Sequence, residues 1–93
     1  VEVFKDAALY PVPLNKWEAR AMLEKLKSYK MLTGYRGSKP CDIEALTDMM
    51  VKIAGYAYEH RDEIKEMDLN PVFVYPEGEG VCAVDALIVK YTD

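Results

Sequence analysis

One histidine, one tryptophan and two cysteines are all that 93 residues hold of the side chains most often given to chemistry, and each scarcity narrows the field. His60 is alone, so there is no histidine cage for a metal, and its place at a predicted helix end between Glu59 and Arg61 gives it ordinary structural value. Cys41 and Cys82 lie far apart without Cys-x-x-Cys or Cys/His spacing, which excludes a zinc ribbon and reads as two reduced structural thiols. Twelve Lys and Arg are scattered, no dense basic run occurs and the net charge is -4. These features argue against a nucleic-acid partner. No apolar stretch approaches the ~20 residues of a membrane span and no signal peptide opens the chain, so the expected setting is the cytoplasm, away from membranes. The phosphate-cradling spacing Gly-x-x-x-x-Gly-Lys-Ser/Thr is missing as well.

What is present is ordinary for one small soluble domain with one core: 51% hydrophobic and 30% charged residues. Val1 begins inside a strand-like run, the start expected of a portion of something larger. Val1-Glu2-Val3-Phe4 and Ala7-Ala8-Leu9-Tyr10 predict an N-terminal strand or hairpin arm, stopped by Pro11 and Pro13. Asn15 and Glu18 have capping-box spacing before a helix from about Lys16 to Ser28. Its apolar stripe is Ala19, Met22, Leu23 and Leu26, with Trp17 as a packing anchor in the first turn.

Residues 29–40 form the longest irregular stretch, where Gly34 and Gly37 flank Tyr35-Arg36 and an Arg so presented would meet a phosphate or carboxylate. Asp42 then caps a second helix reaching about His60, with Ile43, Leu46, Met50, Ile53 and Ala57 as its stripe. Met49, Met50 and Tyr56 read as core or interface packing.

The chain's chemistry is concentrated near its end. Residues 65–75 and 80–89 are two strand-like runs, joined by the turn formers Pro76-Glu77-Gly78-Glu79. A turn centred between Glu77 and Gly78 pairs Tyr75 with Gly80 and sets Asn70 directly opposite Asp85, with Cα atoms roughly 4.5–5.5 Å apart. Asp68, two positions earlier, joins the same face. Two carboxylates and an amide oxygen are hard ligands of the kind Mg²⁺ takes when it also holds nucleotide phosphates. Blander readings stand beside this one: Asp-x-Asn-Pro as a turn-forming sequence, Asp85 as an edge-strand charge, or a one-residue slip that parts the two side chains. In order, the elements predict an α+β fold, two amphipathic helices packed on a small antiparallel sheet.

Thr33-Gly34-Tyr35-Arg36-Gly37 ahead of Asp42-Ile43-Glu44-Ala45-Leu46, then Glu66-Met67-Asp68-Leu69-Asn70-Pro71 and Ala83-Val84-Asp85-Ala86, resemble the C-terminal part of the ATP-grasp domain of ADP-forming acetyl-CoA synthetases. These acyl-CoA ligases are related to succinyl-CoA synthetase. The resemblance covers nearly the whole chain and implies one domain, residues 1–93, forming part of an ATP-grasp lobe. It implies Mg²⁺ and ATP or ADP as cofactors, with Asn70 and Asp85 as metal ligands and Asp68 binding a second ion or a metal-bound water. It further implies partners in the remaining ATP-grasp lobe and in CoA-binding domains or a subunit, without which this piece would be inactive.

Two departures stand out: Leu87 follows Ala86 where the family often has Arg, and His60 matches no phosphorylated histidine. The alternative is a stand-alone assembly or protein-interaction domain, forming a homo-oligomer through an open sheet edge. A small hydrolase using Asp68, Asp85 and His60 would lack a nearby nucleophile.

Overall fold

A computed structural model describes residues 2–4, 7–9, 13–26, 29–34, 37 and 39–91. The elements are β1 (Glu2–Phe4), β2 (Ala7–Leu9), α1 (Lys16–Glu24), α2 (Tyr29–Leu32), α3 (Ile43–Glu59), β3 (Ile64–Leu69), β4 (Val72–Val74), β5 (Val81–Ala83) and β6 (Ala86–Lys90). All strand pairs are antiparallel, in two three-stranded sheets ordered β1-β4-β5 and β2-β3-β6. One register nonetheless runs through both. Val74 faces Val81 and Leu69 faces Ala86 in a single hairpin numbering. On the other side, Glu2 faces Val74 and Ala7 faces Leu69 in a second shared numbering. The two sheets are thus halves of one, parted at Asn70-Pro71, whose peptide bond is cis.

Burial along the central strand shows how the parting works. Met67, Leu69, Val72 and Val74 are all buried, so the buried positions change from odd to even between residues 69 and 72. A regular strand would turn Leu69 and Val72 to opposite faces. The break keeps the core on the helical side of both halves. A second irregularity, between Ile64 and Glu66, likewise lets Ile64 and Met67 point inward together.

Among the described residues, two clusters make the core. Ala19 and Leu23 of α1, Leu32 of α2, Cys41, and Leu46 and Met50 of α3 close over Leu69, Val72 and Val74. Beyond them Ala57 packs with Ile64 and Met67. Each large aliphatic side chain so buried contributes about 1.5–3 kcal/mol. The α+β fold, with helices on one face of a small antiparallel sheet, is as the sequence predicts.

The helix starts also follow the sequence. Asn15 Oδ1 accepts the Glu18 N–H at 2.8 Å while Glu18 Oε1 accepts the Asn15 N–H at 3.0 Å, a complete capping box. α3 ends with His60 as its C-cap. Three expectations need correction. First, α1 stops at Glu24 rather than Ser28: Lys25 and Leu26 donate back only three residues, to Met22 and Leu23, tightening the last turn. Met22 and Leu26 are left exposed. Second, Trp17 is 84% exposed and anchors nothing among the described residues, because it lies roughly 200° around the helix from the buried Ala19. Third, the supposedly irregular stretch opens with α2, which carries the fully buried Leu32 inward before Gly34 turns the chain at φ 90°. Tyr35 and Arg36 lie outside the described residues. No helix among the described residues is long and apolar enough to cross a membrane.

Candidate metal centre

The β4–β5 turn falls where the turn formers place it. Tyr75 donates to Gly80 O at 3.0 Å and Glu79 to Pro76 O at 2.9 Å, with Gly78 and Gly80 both at φ 87°, a backbone region that favours glycine. The tip is tied down by Asp42, the N-cap of α3. Its Oδ1 accepts the Ala45 N–H at 3.1 Å, and its Oδ2 accepts those of Gly80 at 2.8 Å and Gly78 at 3.1 Å. The Asp42 backbone N–H adds a bond to Tyr75 O at 2.8 Å. The Ala45 bond first, then that of Gly80, holds this carboxyl below its ordinary range, against the opposing effect of burial and with further help from Gly78.

With its tip fixed, the hairpin brings Asn70 and Asp85 face to face: Asn70 donates to Asp85 O at 3.1 Å, and one step nearer the turn Val84 donates to Pro71 O at 2.9 Å. Regular antiparallel ladders alternate bonded and non-bonded pairs. Here two bonded rungs follow one another, which is how the break resets the strand. Asp68, Asn70 and Asp85 then line one open cleft of about 330 Å³ with Ala86 and Leu87. The three predicted ligand positions are therefore brought together.

Asp85 Oδ1 accepts the Ala86 N–H at 2.8 Å. This local bond orients the carboxylate. Asn70 and Asp85 are exposed and Asp68 is half-buried. The lining includes no Lys, Arg or His, and Asp68 has no ion pair among the described residues. Nowhere in that set do three or more His, Cys, Asp or Glu side chains gather as a metal cluster. The candidate site instead mixes two carboxylates with one amide, all oxygen donors.

Other candidates lie elsewhere. His60 Nδ1 is 2.9 Å from Tyr56 O and its ring lies 4.3 Å from the Tyr56 ring, tilted by 30°, at the C-terminal end of α3. Cys41 is buried and Cys82 exposed. Sequence reasoning missed the Asp42 tie to the turn, although Gly-x-Gly after Pro-Glu was its available signal. Leu87 as a wall of the cleft was readable from register alone.

The profile of the ATP-grasp domain family matches residues 1–89: the chain belongs to that family. It is 47% identical over 89 residues to the beta subunit of acetate–CoA ligase (ADP-forming) II of Pyrococcus furiosus, covering 96% of this chain and 38% of that subunit. It is 48% identical over 90 residues to the acetate–CoA ligase (ADP-forming) of Methanocaldococcus jannaschii, covering 97% of this chain and 13% of that enzyme. Among solved structures, dinucleotide forming acetyl-coenzyme A synthetase 1 of Ca. Korarchaeum cryptofilum, in complex with coenzyme A and Mg-AMPPCP, superposes with a TM-score of 0.75 at 45% identity. That match covers 86% of this chain and 36% of that one. The chain thus spans little more than a third of the shorter relatives and about an eighth of the longer one.

Proposed function

We propose that residues 1–93 form the C-terminal portion of an ATP-grasp domain in an ADP-forming acyl-CoA ligase, which exchanges acyl-CoA, ADP and phosphate for acid, CoA and ATP. In this reading Asn70 and Asp85 hold Mg²⁺ against the nucleotide phosphates, and Asp68 holds a metal-bound water or a second ion. The observation that carries it is the pairing of Asn70 with Asp85 at the sheet break, above a cleft lined by Asp68. The donor set fits the ion: hard oxygens only, few enough to leave positions for water and phosphate. Kinship with ADP-forming ligases supports the reaction class.

Bound there, Mg²⁺ would neutralise charge on the phosphoryl group in transit. The chain's own part is positional. The Ala86 N–H fixes the Asp85 carboxylate, and the backbone rung between Asn70 and Asp85 fixes the separation of the two ligands. Completing the site falls to the remaining ATP-grasp lobe and to CoA-binding domains or a subunit.

The test is a titration of ¹⁵N-labelled chain with Mg²⁺ and ADP. Shifts centred on Asn70, Asp85 and Asp68 are expected, with affinity on the order of 1 mM because so open a site leaves most coordination to water and phosphate. Both Asn70→Ala and Asp85→Ala should abolish them. Shifts confined to other residues would refute the assignment.

A further inference from the structure

Asp85 meets Asn70 in one register of the hairpin, and the side chains of its own strand do little to choose that register. Val81 and Ala83 lie half-buried against the core, while Cys82 and Val84 are exposed. All four are apolar, so a one-residue slip of this run would exchange one apolar pair for another at the core. Ala86-Leu87-Ile88-Val89 is likewise apolar at every position. The same slip would turn Asp85 to the other face, away from Asn70 and Asp68. Burial therefore leaves open the register on which the cleft depends.

Where alternation does not fix a hairpin, its turn must. On the β4 side, the Asp42 N–H donates to Tyr75 O and the Glu77 N–H to Pro40 O, both at 2.8 Å. On the β5 side, the Asp42 carboxylate accepts the N–H groups of Gly78 and Gly80. A one-residue slip carries a strand about 3.3 Å along its partner, enough to part both glycines from that carboxylate. We propose that Asp42 is a positioning residue for the cation site: by holding Gly78 and Gly80 it locks the register that sets Asp85 against Asn70. The inference rests on the cation reading of the site given above. Asp42 holds the tip of the hairpin and Asp85 lies at its other end, so the effect passes through register and not through contact.

The test is Asp42→Ser in the whole chain, whose hydroxyl still caps α3 but is too short to hold the two glycines as well. Its ¹⁵N spectra should show a second set of signals over residues 81–89. Mg²⁺ titrated with ADP should bind about 2–10-fold more weakly, in proportion to the chains that have left the native register. Saturating Mg²⁺ should erase the second set, because the ion selects one register. Adding Cys82→Gln should restore both the single set and the affinity, since a slip would now bury an amide. Asp42→Asn, which keeps one acceptor oxygen, should show the same changes at smaller amplitude and serves if Asp42→Ser does not fold. A lower melting temperature with one set of signals and wild-type Mg²⁺ affinity, or a loss that Cys82→Gln leaves unrestored, overturns the role of Asp42. Absence of Mg²⁺ shifts at Asn70 and Asp85 in the wild-type chain overturns the cation reading instead, and the second signal set with its Cys82→Gln rescue then still decides the register lock.

Discussion

Replacing Asp42 with Ala should cost this small fold a large share of its stability, although the residue touches neither the cleft nor the centre of the core. Its carboxylate is buried and takes three backbone N–H groups, from Ala45, Gly78 and Gly80. Loss of the N-cap costs about 1 kcal/mol. The half-buried Gly80 donor loses a charged acceptor, about 1.5–3 kcal/mol, whereas the exposed Gly78 donor turns to water at little cost. The expected total is about 2–4 kcal/mol, against roughly 5–14 kcal/mol for a chain of this length. The melting temperature should fall by roughly 10–30 °C.

Acid gives an independent check on Asp42, because hydrogen bonding depresses its folded pKa below the ordinary carboxylate value. A depressed folded pKa means that this contribution is complete above the unfolded pKa of about 3.9 and is lost as pH falls through the folded value. Asp42→Asn keeps one acceptor oxygen but cannot titrate, so the gap between wild type and Asp42→Asn should narrow below about pH 4. Melts by circular dichroism at pH 7 and pH 3 decide the matter. An Asp42→Ala protein melting within about 2 °C of wild type, or a gap unchanged by acid, would refute the reasoning.

Gly55 lies inside α3 with nothing within 4 Å of the place a Cβ would occupy, so Gly55→Ala should raise stability by about 0.4–1 kcal/mol in urea denaturation. Asp68→Asn removes one of the two carboxylates that line the cleft. It should leave the ion-free melting temperature unchanged or slightly higher while weakening Mg²⁺ binding, measured by titration with Mg²⁺ and ADP and by thermal melting without Mg²⁺.

Most of the hairpin was readable because its determinants are local. The turn formers at residues 76–79 fixed the centre, and counting outward placed Asn70 against Asp85, as the rung between them shows. Capping of α1 by Asn15 and of α3 by Asp42 is local too. What escaped depends on distant partners. Spacing at helical period cannot say that Met22 of α1, and Leu26 just past its end, face water, because exposure depends on which element packs against the helix, here α3. α2 is only four residues long, and its place is fixed by Leu32 entering the core beside Leu69, Val72 and Val74. The Asp42 carboxylate reaches Gly78 and Gly80 across separations of 36 and 38 residues.

The break at Asn70-Pro71 was the least legible feature, and it decides where a polar site can stand. In an unbroken strand keeping Leu69 inside, Val72 would face outward and the apolar lining would be lost beyond the site. Two successive bonded rungs, Asn70 with Asp85 and Pro71 with Val84, let Leu69 and Val72 both stay buried while Asn70 remains exposed between them. Pattern counting treats a phase change of this kind as noise in a strand. Physically it is what places an amide and a carboxylate on adjoining strands at the surface without opening the core beneath them.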